Sequence, residues 1–166
     1  MPLRAIFAQK QSSQHAPVSA TLGAMDAHVR IAKEEDAEAA CAVLRRSITE
    51  CCSADHHDDP TLLAPWLENK TPENVRQWIV NPSKFVVVAE ANGHIIGVAA
   101  MFISGEVTQC YLVPEARFTG VGKALLAELQ SKARALGRSE LRLNSSKTAH
   151  AFYLRNGFTD SGPSAT

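Results

Sequence analysis

Apolar and polar residues alternate along the chain with two different periods. Ala37, Ala40, Val43, Leu44 and Ile48 recur at three- and four-residue spacing, which predicts an amphipathic helix ending near Cys51. Glu34, Glu35 and Asp36 stand before it, where the helix macrodipole favours negative charge, and the alternating stretch His28 to Ala32 predicts a short strand ahead of them. A polar segment from Ser53 to Pro60 reads as a loop. Leu62, Leu63, Trp66 and Leu67 then make a short helical face, and Thr71-Pro72-Glu73-Asn74 reads as a cap with proline in the first turn of a helix through Val75, Trp78 and Ile79.

At Lys84 the period changes from helical to extended. Phe85 to Val88 is a largely β-branched run, Asn92-Gly93 is a strong hairpin signal, and Ile95 to Phe102 gives the returning strand. Ser104-Gly105 turns the chain into a third strand, Glu106 to Val113, which completes an antiparallel meander closed by Pro114. Val121, Leu125, Leu129, Ala133 and Leu136 lie on one stripe of a long helix, with Gly137 at its C′ position. Leu141 to Leu143 is a brief strand, and Ala149, Phe152 and Tyr153 sit on a last helix stopped by Asn156-Gly157. The order is β-α-α-β-β-β-α-β-α, with a right-handed parallel crossover expected between Glu106 and Asn144. The predicted class is α+β, a mixed, mainly antiparallel central sheet with helices on both faces. Residues 1–27, rich in Gln, Ser, Ala and Thr from position 9 to 24, are expected to be a flexible N-terminal extension, and 28–166 a single domain.

Composition narrows the function classes. With 166 residues and 45% hydrophobic content the chain can build one core. Lys plus Arg and Asp plus Glu both number 17, so bulk charge gives no hold on nucleic acid. The longest apolar run, Ile95 to Ile103, is broken by Gly97 and is far shorter than a membrane-spanning helix needs, so no membrane partner is expected. The N-terminus lacks a secretory apolar core. Cys41, Cys51, Cys52 and Cys110 show no disulfide-rich spacing, which suits a reducing, cytoplasmic location. Cys51-Cys52 and His56-His57 are adjacent pairs without the two-residue spacers of structural zinc sites, so no metal is expected.

The chemistry concentrates in Arg117-Phe118-Thr119-Gly120-Val121-Gly122-Lys123, between a strand and the long helix. Glycines at a helix start let backbone N–H groups approach a phosphate; a tight turn whose glycines serve packing is the alternative. A P-loop would need glycine at Arg117 and Ser or Thr at Ala124, and a dinucleotide fingerprint would need glycine at Leu125, so both patterns fail. From Pro114 to Arg138 five basic residues face two acidic ones, the sign a phosphorylated ligand requires. From Ser47 to Asn69, by contrast, there is no Lys or Arg, while Glu50, Asp55, Asp58, Asp59 and Glu68 are all acidic.

In these surroundings R-x-x-G-x-G resembles the acetyl-CoA-binding signature of the GCN5-related N-acetyltransferases. Leu141 to Phe158 is similar to the same family's second signature, a strand followed by N-x-x-A-x-x-F-Y-x-x-x-G-F; Ala149, Phe152, Tyr153, Gly157 and Phe158 fit, and Ser146 replaces the usual Asn. The resemblance covers about residues 28–160 and implies acetyl-CoA as cosubstrate. It implies that the amides of Phe118, Thr119, Gly120, Val121, Gly122 and Lys123, with the charge of Arg117, hold the pyrophosphate. The main chain of Tyr111, Leu112 and Val113 would pair with the pantetheine arm, and Asn144 and Ser146 would help orient the cofactor, a helix cap being the other role open to Ser146. Tyr153 takes the place of the general acid, unless it only packs the helix on the sheet. Glu106 takes the place of the base, with a solvent-facing strand end as its alternative and Gln109 as the nearest other polar group. The implied reaction is direct acetyl transfer in a ternary complex to a primary amine, on a small molecule or a lysine side chain; a non-catalytic acyl-CoA-binding module of the same fold is the alternative. The acidic segment would wall the acceptor site, or be a solvated loop, and as a wall it would favour a cationic amine. After Phe158 only eight residues remain where the family has two more strands, leaving a sheet edge uncovered. A truncated chain, a second subunit in a homodimer, or the N-terminal arm around Arg4 to Ala8 would each account for it.

Overall fold

The computed structural model describes residues 1–7, 19–22 and 25–161. Its frame is an antiparallel five-stranded sheet in the order β2-β3-β4-β5-β6, built from Ser19–Leu22, Met25–Ile31, Lys84–Ala91, His94–Phe102 and Val107–Leu112. The β4–β5 hairpin turns at Asn92 and Gly93, whose φ values of 53° and 79° are both positive, as a two-residue turn matching the strand twist requires. Because side chains alternate across a strand, Val86 and Val88 of β4 enter one core with Leu44, Val75 and Val98, while Val87 and Ala89 enter another with Met101, Leu125 and Leu129. The first core lies under α1 (Ala37–Cys51) and α4 (Pro72–Val80), the second under α5 (Val121–Ala135), so helices cover both faces. Arg30 fixes the start of α1 to the sheet: it donates to both carboxylate oxygens of Asp36 at 2.7 and 3.0 Å and to Glu90 at 3.0 Å. The bonds from Arg30 hold the Asp36 carboxyl below its ordinary range against the opposing cost of burial. No described helix is long and apolar enough to cross a membrane.

Local signals set the helix ends as the sequence suggests. Thr71 accepts from the Asn74 amide at 3.1 Å at the start of α4, and Gly137, with φ of 75°, follows the end of α5. The expected Ser53–Pro60 loop instead contains a single helical turn, α2 (Ser53–His56), before α3 (Pro60–Glu68). His56 explains the difference: its buried ring accepts from the Asp58 amide at 2.9 Å and meets the Ile48 carbonyl at 2.8 Å, pulling the segment onto α1. The first of these bonds makes Nδ1 the acceptor, which leaves Nε2 to donate.

A flexible extension over residues 1–27 is not what the described parts of that stretch form. Pro2–Ile6 is a strand, β1, lying between β7 (Glu140–Asn144) and β8 (Thr159–Asp160) in a second, three-stranded antiparallel sheet. Leu3 and Ala5 point inward, with exposures of 1% and 6%. The physical reason is the uncovered edge: β8 is two residues long, so β7 can complete its ladder only with a strand from elsewhere in the chain, and the N-terminal arm supplies it. Most of the Gln- and Ser-rich segment lies outside the described residues.

Candidate active site

Strands β6 and β7 meet at one end. Glu106 and Arg142 form a parallel bridge there, and the Arg142 amide donates to the Gly105 carbonyl at 2.9 Å. Beyond this bridge the two strands belong to different sheets, and a cavity of about 770 Å³ lies between their C-terminal ends. Its walls are Ser47, Cys51 and Cys52 from the end of α1, Cys110 to Leu112 from β6, the turn before α5, the loop after β7, and α6 (His150–Arg155).

The turn before α5 carries the electrostatics. Gly120 precedes the helix with φ of 90°, and the first-turn amides of α5 have no partners within the helix. Thr119 donates its hydroxyl to the Ala116 carbonyl and braces the turn from behind. Among the described residues, Arg117, Lys123 and Arg155 are the charged ones lining the cavity, and no carboxylate lines it. Gly122 has a packing role as well, since a Cβ there would stand 3.1 Å from the Phe152 ring. The packing reading thus applies to Gly122, while Gly120 supplies the left-handed residue that starts the helix.

Of the residues singled out for cofactor binding, Tyr111, Leu112, Arg117, Phe118, Gly120, Gly122, Lys123 and Ser146 line the cavity. Val113, Thr119, Val121 and Asn144 do not. Val121 is buried in the core, and Asn144 is paired with Pro2 in the ladder that β1 adds to β7. Ser146 accepts from the Ala149 amide at 3.2 Å and closes the turn ahead of α6. Tyr153 is only 6% exposed and lies behind the wall, its hydroxyl against the Cys110 thiol and its ring edge-on to Phe152 and Phe158. Burial pushes the Tyr153 phenol well above its ordinary range and the Cys110 thiol up to about 12. Glu106 is exposed at the far end of β6 and does not line the cavity, because four residue steps along the strand, roughly 13 Å, separate it from Cys110.

Four arrangements in the site were not read from the sequence, although Tyr111, Phe152, Asp55 and the Cys51-Cys52 pair were themselves singled out there. Cys51 and Cys52 line the cavity, and burial raises Cys52 to about 12, which disfavours its thiolate. Phe152, Arg155 and Asn156 come from one face of α6; their spacing of three and four residues was the signal available. Tyr111 sends its phenol toward the Trp66 side chain of α3, and burial pushes that phenol up to about 12. Finally, Asp55 of α2 accepts from the Lys147 amide at 2.8 Å, the Thr148 amide at 3.1 Å and the Thr148 hydroxyl at 2.6 Å. This carboxylate ties the α1–α3 segment to the loop after β7. Burial, the largest influence, would raise Asp55, yet the three hydrogen bonds together hold it below the ordinary carboxylate range.

The acidic segment is thus engaged in structure. Asp55 forms the clasp, Asp59 caps α3 by accepting from the Thr61 amide at 2.9 Å, and Glu50 accepts from Arg46 at 2.7 Å.

Comparison with known proteins matches this geometry. Residues 52–166 match the family model described as an acetyltransferase (GNAT) domain. A protein of Azospirillum brasilense named IAA acetyltransferase is 34% identical over 95 residues, an alignment spanning 52% of this chain and 62% of that relative. The crystal structure of the PaiA N-acetyltransferase of Thermoplasma acidophilum in complex with coenzyme A superposes with a TM-score of 0.70 at 25% identity, covering 81% of this chain and 91% of that one. A predicted acetyltransferase of Clostridium acetobutylicum with acetyl-CoA shares the fold, with a TM-score of 0.62 at 22% identity over 84% of this chain and 94% of the other. A cationic helix-start turn facing a cleft between splayed strands, together with the match over residues 52–166, makes this chain a member of the GNAT acetyltransferase family.

Proposed function

We propose that the protein moves the acetyl group of acetyl-CoA to a primary amine by direct attack in a ternary complex. The observation that carries this reading is the cavity itself: among the described residues three cations and no carboxylate line it, and the free amides of a helix start and the β6 backbone belong to its wall. These residues fit a cosubstrate with a pyrophosphate and a long amide arm. Coenzyme A in the PaiA structure and acetyl-CoA in the Clostridium structure support the same ligand.

The amine nitrogen attacks the thioester carbonyl, the carbon–sulfur bond breaks, and the departing thiolate takes a proton while the amine gives one up. In our reading Tyr153 supplies the proton, since a phenol pushed upward by burial stays protonated at neutral pH, and it lies against Cys110 at the cavity wall. The amine's proton leaves through water, with Glu106 at the strand end as its eventual acceptor. The acceptor is a primary amine of a small molecule or a lysine side chain. Glu50 is paired with the Arg46 cation, whereas Asp55 and Asp59 accept only from neutral amides and hydroxyls, so with the exposed Asp58 and Glu68 they make up the field that would favour a cationic amine.

The test is release of CoA from acetyl-CoA with a panel of polyamines, lysine peptides and aromatic amines. Amine-dependent release with formation of the acetylamide is expected. Tight binding of acetyl-CoA with no amine consumed would contradict transfer and favour a module that only binds the cosubstrate.

A further inference from the structure

Phe118 breaks two rules of folding at once. Its φ of 63° lies in the left-handed region, which is unfavourable for a bulky side chain, and its ring is 86% exposed, so core packing does not explain it. The Arg117 guanidinium carbon stands 5.0 Å from the ring centroid, a cation–π contact that restrains the ring. Both residues line the cavity, in the turn that leads to Gly120 and Lys123.

The position of the ring follows from the direction of the ligand, and this step rests on the acetyl-CoA reading above. With the pyrophosphate on the first turn of α5 and the pantetheine arm running along Leu112 and Tyr111 toward Cys110, the nucleoside half must leave the turn on its other side. Phe118, Lys123 and Arg155 line the cavity and are also exposed, which makes them the rim available to that half. We propose that Phe118 is a stacking platform for the purine base of the cosubstrate, with Arg117 holding the ring and the rim cations facing the nucleotide's phosphates. The left-handed backbone is what carries the ring to the rim.

Stacking of a base on an aromatic ring corresponds to about 5- to 150-fold in affinity. The experiment is calorimetry on the full chain with two ligands: acetyl-CoA, and acetyl-4′-phosphopantetheine, which keeps the arm and lacks the nucleoside. Phe118→Asn tolerates the left-handed backbone and removes the ring; Phe118→Tyr keeps the ring. The inference predicts that Phe118→Asn weakens acetyl-CoA by about 5- to 150-fold while leaving acetyl-4′-phosphopantetheine within twofold, and that Phe118→Tyr binds acetyl-CoA like the parent. Equal weakening of both ligands, no weakening of either, or a loss in Phe118→Tyr as large as in Phe118→Asn overturns it and leaves the acetyl-CoA site standing. Failure of the parent protein to bind either ligand overturns the site itself, and the platform with it.

Discussion

Asp55→Asn should loosen the cavity wall while leaving the core intact. In the parent, one carboxylate accepts three hydrogen bonds, at 2.6, 2.8 and 3.1 Å, from residues more than ninety positions away. Asparagine has one acceptor oxygen, turns an NH2 group toward the Lys147 or Thr148 amide and removes the negative charge. Hydrogen bonds to charged groups contribute about 1.5–3 kcal/mol each, and partial exposure reduces this, so a loss of about 1–3 kcal/mol is expected for the clasp. That free energy acts on the loop carrying Ser146, Thr148 and Ala149, all cavity residues. Amide hydrogen exchange at Lys147 and Thr148 should therefore speed up about 5- to 150-fold in the variant, and acetyl-CoA affinity should fall by a factor of the same order. The pH dependence has a defined sign. Asp55 titrates lower when folded than when unfolded, so its contribution is complete above the unfolded carboxylate value of about 4 and is lost as pH falls through the lower folded value. Unchanged exchange at Lys147 and Thr148, with unchanged affinity, would refute the clasp.

Three further substitutions probe other levels of the structure. Leu3→Ala should cost about 2–5 kcal/mol in chemical denaturation, because Leu3 is 1% exposed beneath the second sheet; a loss under about 1 kcal/mol would mean that β1 is not part of the core. Gly97→Ala would place a Cβ 2.9 Å from both Leu112 Cδ2 and Leu125 Cδ1, so it should destabilise by about 1–3 kcal/mol and weaken acetyl-CoA binding through Leu112; a neutral variant would show that both leucines can retreat. Tyr153→Phe should lower kcat by about 10²–10⁴ with little change in acetyl-CoA affinity, and a kcat within twofold of the parent would remove Tyr153 as the acid wherever chemistry limits turnover.

How much of this was legible depends on whether the signal is local. The stripe on α5, the Thr71 cap and the Asn92-Gly93 turn are set within a few residues, and each forms where periodicity and turn chemistry put it. The turn from Arg117 to Lys123 is also local, and most of its residues reach the cavity. Strand β1 was legible only as one of three ways to cover the sheet edge, because Pro2–Ile6 gains its order by pairing with β7 and β8, more than 130 residues later. The same holds for Asp55, an ordinary acidic loop residue until the fold brings Lys147 and Thr148 to it. Glu106 was assigned through the resemblance, from its place at the start of the strand, which says nothing of where β6 leaves the cavity.

Calorimetric titration of acetyl-CoA into the parent protein and Gly120→Asp tests the central claim, that the helix-start turn holds the cosubstrate. Gly120 has φ of 90°, a region where aspartate is among the better tolerated side chains, and the added carboxylate would stand beside Arg117 and the first-turn amides of α5. The parent should bind, and the variant should bind at least tenfold more weakly through clash and like-charge repulsion with the pyrophosphate. No binding by the parent at millimolar acetyl-CoA, or an affinity unchanged by Gly120→Asp, would contradict the claim.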